Sequence, residues 1–86
     1  MTEKERLKRW VHDALMRLGG RGTLLQVAKD IWAQHDQDLR DAGDLFYAWQ
    51  YQYRWCATDL RKEGKMKSEK ESPSGVWELT DHGKRG

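Results

Sequence analysis

The chain has 86 residues, with 16 Lys and Arg against 14 Asp and Glu, and a single Cys. This length allows one small domain with a modest core and excludes most enzyme architectures, which need a second layer or a deep pocket. Its apolar runs are too short for a membrane span or a secretory signal, so we expect a cytoplasmic protein whose core is held by packing alone.

The charges are unevenly distributed along the chain. The formal net charge is only +2, but residues 1–22 carry +3, residues 23–48 carry −3, and residues 49–86 carry +2. A polyanionic partner therefore has to meet the ends of the chain rather than its acidic middle.

Two amphipathic helices are predicted first, over residues 3 to 18 and 24 to 35. Gly19, Gly20 and Gly22 stop the first helix, and Thr23 with Gln26 forms a capping box that starts the second. The two apolar stripes follow the helical period. They consist of Leu7, Trp10, Val11, Ala14, Leu15 and Leu18, and of Leu24, Val27, Ala28, Ile31 and Trp32.

A polar segment and a longer third helix are predicted next. Residues 35–44 have no period and are predicted to be a loop, with Asp44 as the following N-cap. The third helix is expected over residues 45 to 63 and ends at Gly64. Its buried stripe is predicted to be Leu45, Trp49, Tyr53, Cys56 and Leu60, with Phe46 and Ala57 at the margin.

The period changes to about two after Gly64. Met66 alternates with lysines, residues 72–75 (SPSG) predict a turn, and Trp77 and Leu79 point to a second strand, so we expect a hairpin. From Asp81 we expect a short frayed tail. The predicted fold class is mainly α with a small β-hairpin: a single winged helix-turn-helix domain of three helices and a two-stranded wing, with its core over residues 5–80.

One face of the predicted third helix carries hydrogen-bonding side chains instead of the usual Glu and Lys. Its members are Tyr47, Gln50, Tyr51, Arg54, Thr58 and Arg61. Arg pairs with guanine, Gln pairs with adenine, and Thr and Tyr reach phosphates or base edges, which is the chemistry of a major-groove reader. The alternative is that Tyr47 and Tyr51 pack against the loop or a second subunit while the arginines are solvated.

The predicted hairpin carries Lys65, Lys67 and Lys70, which could neutralise phosphates beside the groove. Glu69 and Glu71 weaken this interpretation. A charged hairpin is also typical of a solvated edge that is protected against pairing with another strand.

The last part of the chain resembles the winged-helix domain at the N-terminus of Mrr-type restriction proteins. The matching residues are Arg54, Trp55, Leu60, Gly64, Gly75, Val76, Trp77, Leu79, Thr80 and Gly83. The resemblance implies a winged-helix fold that binds DNA or positions a fused catalytic domain, with Leu60, Trp77 and Leu79 closing the core and the glycines in turns. The chain departs from these proteins in lacking a nuclease domain and in having Cys56 and Ala57 where an Ala and an aliphatic residue are usual.

Enzyme hypotheses find little support in the residues. Asp44 with Glu63 and Lys65 has the letters of a metal nuclease, but the two acids lie at opposite ends of the predicted third helix. His12, His35 and His82 are dispersed, and Cys56 lies on an apolar stripe. We therefore expect no catalysis, cofactor, metal, membrane or small-molecule ligand.

Double-stranded DNA is the expected partner, bound by Gln50, Tyr51, Arg54, Thr58, Arg61, Lys65, Lys67 and Lys70, with a role in transcription or DNA defence. A homodimer is a further expectation, because doubling the contacts compensates for low charge. The rival hypothesis is a protein-interaction or dimerisation module that uses the aromatic face of the third helix.

Overall fold

The computed structural model describes residues 3–85, and for residues 3–4, 44–47 and 50 it describes the backbone only. Four helices and a two-stranded antiparallel sheet make up the described chain. Their order is α1 (Glu3–Arg17), β1 (Arg21–Thr23), α2 (Leu24–Asp41), α3 (Asp44–Lys62), β2 (Val76–Glu78) and α4 (Asp81–Lys84). The coarse prediction of a mainly helical fold with a small sheet is confirmed.

The start of the chain folds as its sequence predicts. α1 ends at glycines with positive φ, and Gly20 N–H closes the last turn by donating to Leu15 O (2.8 Å). The capping box of α2 is present, because Gln26 N–H donates to Thr23 Oγ1 (3.1 Å) while Thr23 N–H donates to Gln26 Oε1 (2.8 Å). Arg17 Nε donates to Asp30 Oδ1 (2.9 Å) and joins α1 to α2.

The predicted loop over residues 35–44 is wrong. The backbone kinks at His35 (φ −131°, ψ 21°), but the helix then continues to Asp41. His35 stacks on Trp10 with ring centroids 4.1 Å apart, and Leu39 beyond the kink is fully buried. Burial of one Leu side chain contributes about 1.5 to 3 kcal/mol, which stabilises this otherwise polar turn.

Gly43 separates α2 from α3. The predicted N-cap, Asp44, is one residue late, since α3 begins at Asp44 and Gly43 occupies the cap position without a side-chain hydrogen bond.

The sheet pairs different segments from those in the predicted hairpin. β2 pairs with β1, with Gly22 opposite Trp77, whereas the segment after α3 contributes only an isolated bridge between Met66 and Leu79. The ladder stops there because the chain turns directly after Lys67, where Glu71 N–H donates to Ser68 O (3.0 Å). The predicted hairpin after Gly64, with its wing expected over residues 65–75, is therefore reduced to one bridge and a loop.

The C-terminal segment also differs from the prediction of a frayed tail. Thr80 caps α4 by accepting from Gly83 N–H (3.0 Å) and donates to Gly64 O (2.6 Å). His12 Nε2 donates to Gly83 O (2.7 Å), which attaches α4 to α1. Gly83, predicted to lie in a turn, is instead a buried helical residue.

The core forms where α1, α2 and α3 meet the sheet. Trp32 was predicted to belong to it but lies at its edge, 36% exposed and stacked on Trp49 with ring centroids 6.3 Å apart. The side chains of Leu45 and Phe46 lie outside the described residues. The buried apolar residues are Leu7, Trp10, Val11, Ala14, Leu15, Val27, Ile31, Leu39, Trp49, Tyr53, Cys56, Ala57, Leu60, Met66, Trp77 and Leu79.

Candidate nucleic-acid interface

The two faces of α3 differ in the way the periodicity predicts. Trp49, Tyr53, Cys56 and Leu60 are buried. On the opposite face Tyr51 and Arg54 are exposed and Thr58 is half-buried. The side chains of Tyr47 and Gln50, which were predicted for this face, lie outside the described residues. The part of α3 from Tyr51 to Arg61 therefore presents polar groups to solvent.

An open groove of about 600 Å³ runs between this face and the segment that leads into β2. One wall consists of Arg54, Thr58 and Arg61 from α3, and the other includes Pro73, Ser74, Gly75 and Val76, with Leu24, Ala57, Glu69 and Trp77 completing the lining. The second wall is held against the start of α2, because Leu24 N–H donates to Gly75 O (3.2 Å). Within this wall, Val76 N–H donates to Pro73 O (3.1 Å) and closes a turn.

Arg61 is engaged within the chain. Its Nε donates to Lys67 O (3.0 Å) and its Nη1 donates to Glu69 Oε1 (3.4 Å). The guanidinium thereby links the end of α3 to the loop that follows it. Arg61 thus positions the loop next to the groove as well as lining the groove itself.

Arg54 has no such restraint. Its side chain is exposed, lines the groove, and has no acidic partner among the side chains that the structure describes. Its charge and its donors are thus available to a bound anion.

The three lysines predicted to contact phosphate do not line the groove. Lys65 pairs with Glu63 (3.3 Å) and Lys67 pairs with Glu78 (3.3 Å). Lys70 is exposed and has no acidic partner within the described part of the chain. The Lys65–Glu63 pair is partly exposed, and such pairs contribute at most about 1 kcal/mol, so a phosphate could compete for Lys65 at small cost. The Lys67–Glu78 pair is more buried, because Glu78 is largely covered.

Sequence reasoning did not single out Trp55 as a candidate for function, and it assigned residues 73–75 only to the turn of the wing. Trp55 is 52% exposed and contacts Tyr51 in a T-shaped arrangement, with ring centroids 6.2 Å apart. Its position one turn after Tyr51 was the available signal. No signal in the sequence placed residues 73–75 along α3, because this arrangement depends on the pairing of β1 with β2.

The resolved pKa shifts lie outside the groove. The hydrogen bond from Lys8 to Glu63 (2.5 Å) is the main cause that raises the pKa of Lys8 and lowers the pKa of Glu63. A hydrogen bond to Asp30 raises the pKa of Arg17. These pairs join α1 to the end of α3 and to α2, so their role is in the fold.

Among the described side chains, no group of three His, Cys, Asp or Glu could hold a metal ion, and Cys56 is buried. None of the described helices is long and apolar enough to cross a membrane. No protein-family model, curated protein or solved structure matches this chain. The groove and the exposed face of α3 are therefore the features of this chain that point to a function.

Proposed function

We propose that the chain is a DNA-binding winged-helix protein in which α3 enters the major groove and residues 65–75 lie on the adjacent backbone. The observation that carries this proposal is the groove between α3 and residues 73–76, with Arg54 on its wall and no acidic partner for Arg54 among the described side chains. An α-helix with its side chains is about 10 to 12 Å wide, which fits the major groove of B-DNA at about 12 Å across.

The groove suits a sugar-phosphate strand at the edge of the major groove. Arg54 supplies positive charge, the Thr58 hydroxyl supplies a hydrogen-bond donor, and Ser74 supplies a second donor from the opposite wall. Lys70, which has no acidic partner among the side chains that the structure describes, adds an ammonium on the loop that Arg61 holds beside α3. These groups allow α3 to read base edges while the loop neutralises phosphate.

The element order also supports the proposal. β1 lies between α1 and α2 and pairs with β2, while the bridge between Met66 and Leu79 joins the segment after α3 to the same sheet. The loop between these two segments therefore projects beside α3, where a wing is expected.

A second candidate function is a homodimer or a complex with another protein through Tyr51 and Trp55. The observation in its favour is their exposure, 66% and 52%, on one face of α3. Such an interface would respond weakly to salt, whereas DNA binding weakens steeply through counterion release.

Fluorescence anisotropy of a labelled random duplex tests the proposal. We expect binding that weakens with salt. An Arg54→Ala variant should bind more weakly, and its slope of log affinity against log salt should be smaller by about 1, because one phosphate contact is lost. Arg9→Ala is the matched control, because Arg9 is an exposed arginine on α1 away from the groove lining. No binding at low salt, or equal losses in the two variants, would contradict the proposal.

A further inference from the structure

The exposed aromatic pair on α3 is not explained by duplex binding alone. Tyr51 and Trp55 lie one turn apart and meet at an interplanar angle of 64°. Scattered exposed apolar side chains are ordinary in folded proteins. Two large rings held against each other on the proposed DNA-contacting helix form a preorganised aromatic surface instead.

The surroundings of this pair favour an anionic partner. At 100° per residue, Arg54 and Thr58 border the pair on the groove side, and Lys62 follows toward the end of α3. Arg54 and Lys62 are exposed and have no acidic partner among the described side chains. The neighbouring acid, Asp59, is within electrostatic reach of Lys8 on α1. Two cations and one acid thus surround the pair, which gives its surroundings a net positive charge.

A nucleobase with its phosphate matches both features. Aromatic side chains stack on bases, and free cations beside them bind the backbone. Inside an intact duplex each base is covered on both faces by its neighbours. Only an unpaired base can offer a face to Tyr51 or Trp55.

We propose that Tyr51 and Trp55 form a stacking site for an unpaired base, with Arg54 and Lys62 on the flanking phosphates. The protein then binds DNA preferentially where the duplex is interrupted, as at a single-strand junction. This inference rests on the proposed DNA-binding function and specifies the form of DNA that the same face prefers.

The test compares two labelled probes of one sequence, an intact duplex and the same duplex with a single-stranded thymidine tail. Stacking on one base increases affinity by about 5- to 150-fold, so we expect the tailed probe to bind more tightly within that range. Trp55→Ala should remove most of this preference, and Trp55→Phe, which keeps a ring, should retain part of it. Met16→Ala is the matched control, because Met16 is an exposed apolar residue on α1.

The outcomes separate this inference from the proposed function. Equal affinity for the two probes, or equal losses on both in Trp55→Ala, would overturn the stacking site and leave duplex binding intact. No binding of either probe would overturn the proposed function, and the inference with it. A change in oligomeric state of Trp55→Ala, measured by sedimentation, would assign the pair to a protein interface. Far-UV circular dichroism establishes that each variant is folded.

Discussion

Replacing Gly83 with Ala should destabilise the protein even though Ala favours helices. Gly83 lies inside α4, where helix propensity alone predicts a gain of about 1 kcal/mol. A Cβ at this position would lie 2.0 Å from the carbonyl oxygen of Lys65 and 2.8 Å from its carbonyl carbon. Both are backbone atoms, so no side-chain rotation relieves the overlap, and α4 has to move by more than an ångström.

That movement breaks the contacts that hold α4. They are the bond from Thr80 N–H to Lys65 O (3.0 Å) and the bond from His12 Nε2 to Gly83 O (2.7 Å). Each of the two hydrogen bonds contributes about 1 kcal/mol, overpacking costs about 1 to 3 kcal/mol, and the gain in helix propensity offsets about 1 kcal/mol, so we expect a net loss of about 2 to 4 kcal/mol. Urea unfolding followed by tryptophan fluorescence measures it, with Arg85→Ala as an exposed control. A Gly83→Ala variant as stable as the wild type would refute the packing of α4 on Lys65.

Three further predictions concern stability. Leu39→Ala should cost about 2 to 5 kcal/mol in urea unfolding because Leu39 is fully buried beyond the kink, and a loss under about 1 kcal/mol would instead indicate a loop. Ser72→Ala should leave the free energy of unfolding unchanged or raise it by up to about 1 kcal/mol, because Ser72 Oγ is buried without a hydrogen-bond partner among the described residues. A clear fall in the free energy of unfolding would instead show that Ser72 Oγ makes a stabilising contact. In the folded state the hydrogen bond from Lys8 is the main cause that lowers the pKa of Glu63. This interaction therefore stabilises the protein fully above the unfolded pKa of Glu63, about 4.3, and the stabilisation is lost as the pH falls through the lower, folded pKa. When the pH is lowered from about 5 to 3, the free energy of unfolding should therefore fall less in Glu63→Gln than in the wild type. The two falls should differ by under about 1 kcal/mol because the Lys8–Glu63 pair is partly exposed, and identical pH profiles would exclude the contribution.

Local periodicity predicted α3 well. Its buried residues recur at the helical spacing, so Trp49, Tyr53, Cys56 and Leu60 could be assigned to the core without knowledge of their neighbours. The capping box at Thr23 was equally readable, because its partner lies three residues away.

Features that depend on distant partners could not be predicted. Arg21 pairs with Glu78, and the short segment around Gly22 has no alternating pattern to announce a strand. The extension of α2 depends on the single buried residue Leu39 in a polar run.

The candidate site shows the same division between local and distant information. The exposure of Arg54 followed from helical geometry. The engagement of Arg61 with Lys67 O and Glu69 depends on where the loop lies in space. For the same reason, sequence spacing alone could not distinguish Lys67, which is paired with Glu78, from Lys70, which has no acidic partner among the described residues.

The most direct test of DNA binding is to follow backbone amide chemical shifts by NMR while a short duplex is added at low salt. We expect the perturbed amides to concentrate between Tyr51 and Arg61 on α3 and over residues 67–76 around the groove. Perturbations confined to the exposed side of α1, or none at all at concentrations where the duplex is in excess, would contradict this expectation.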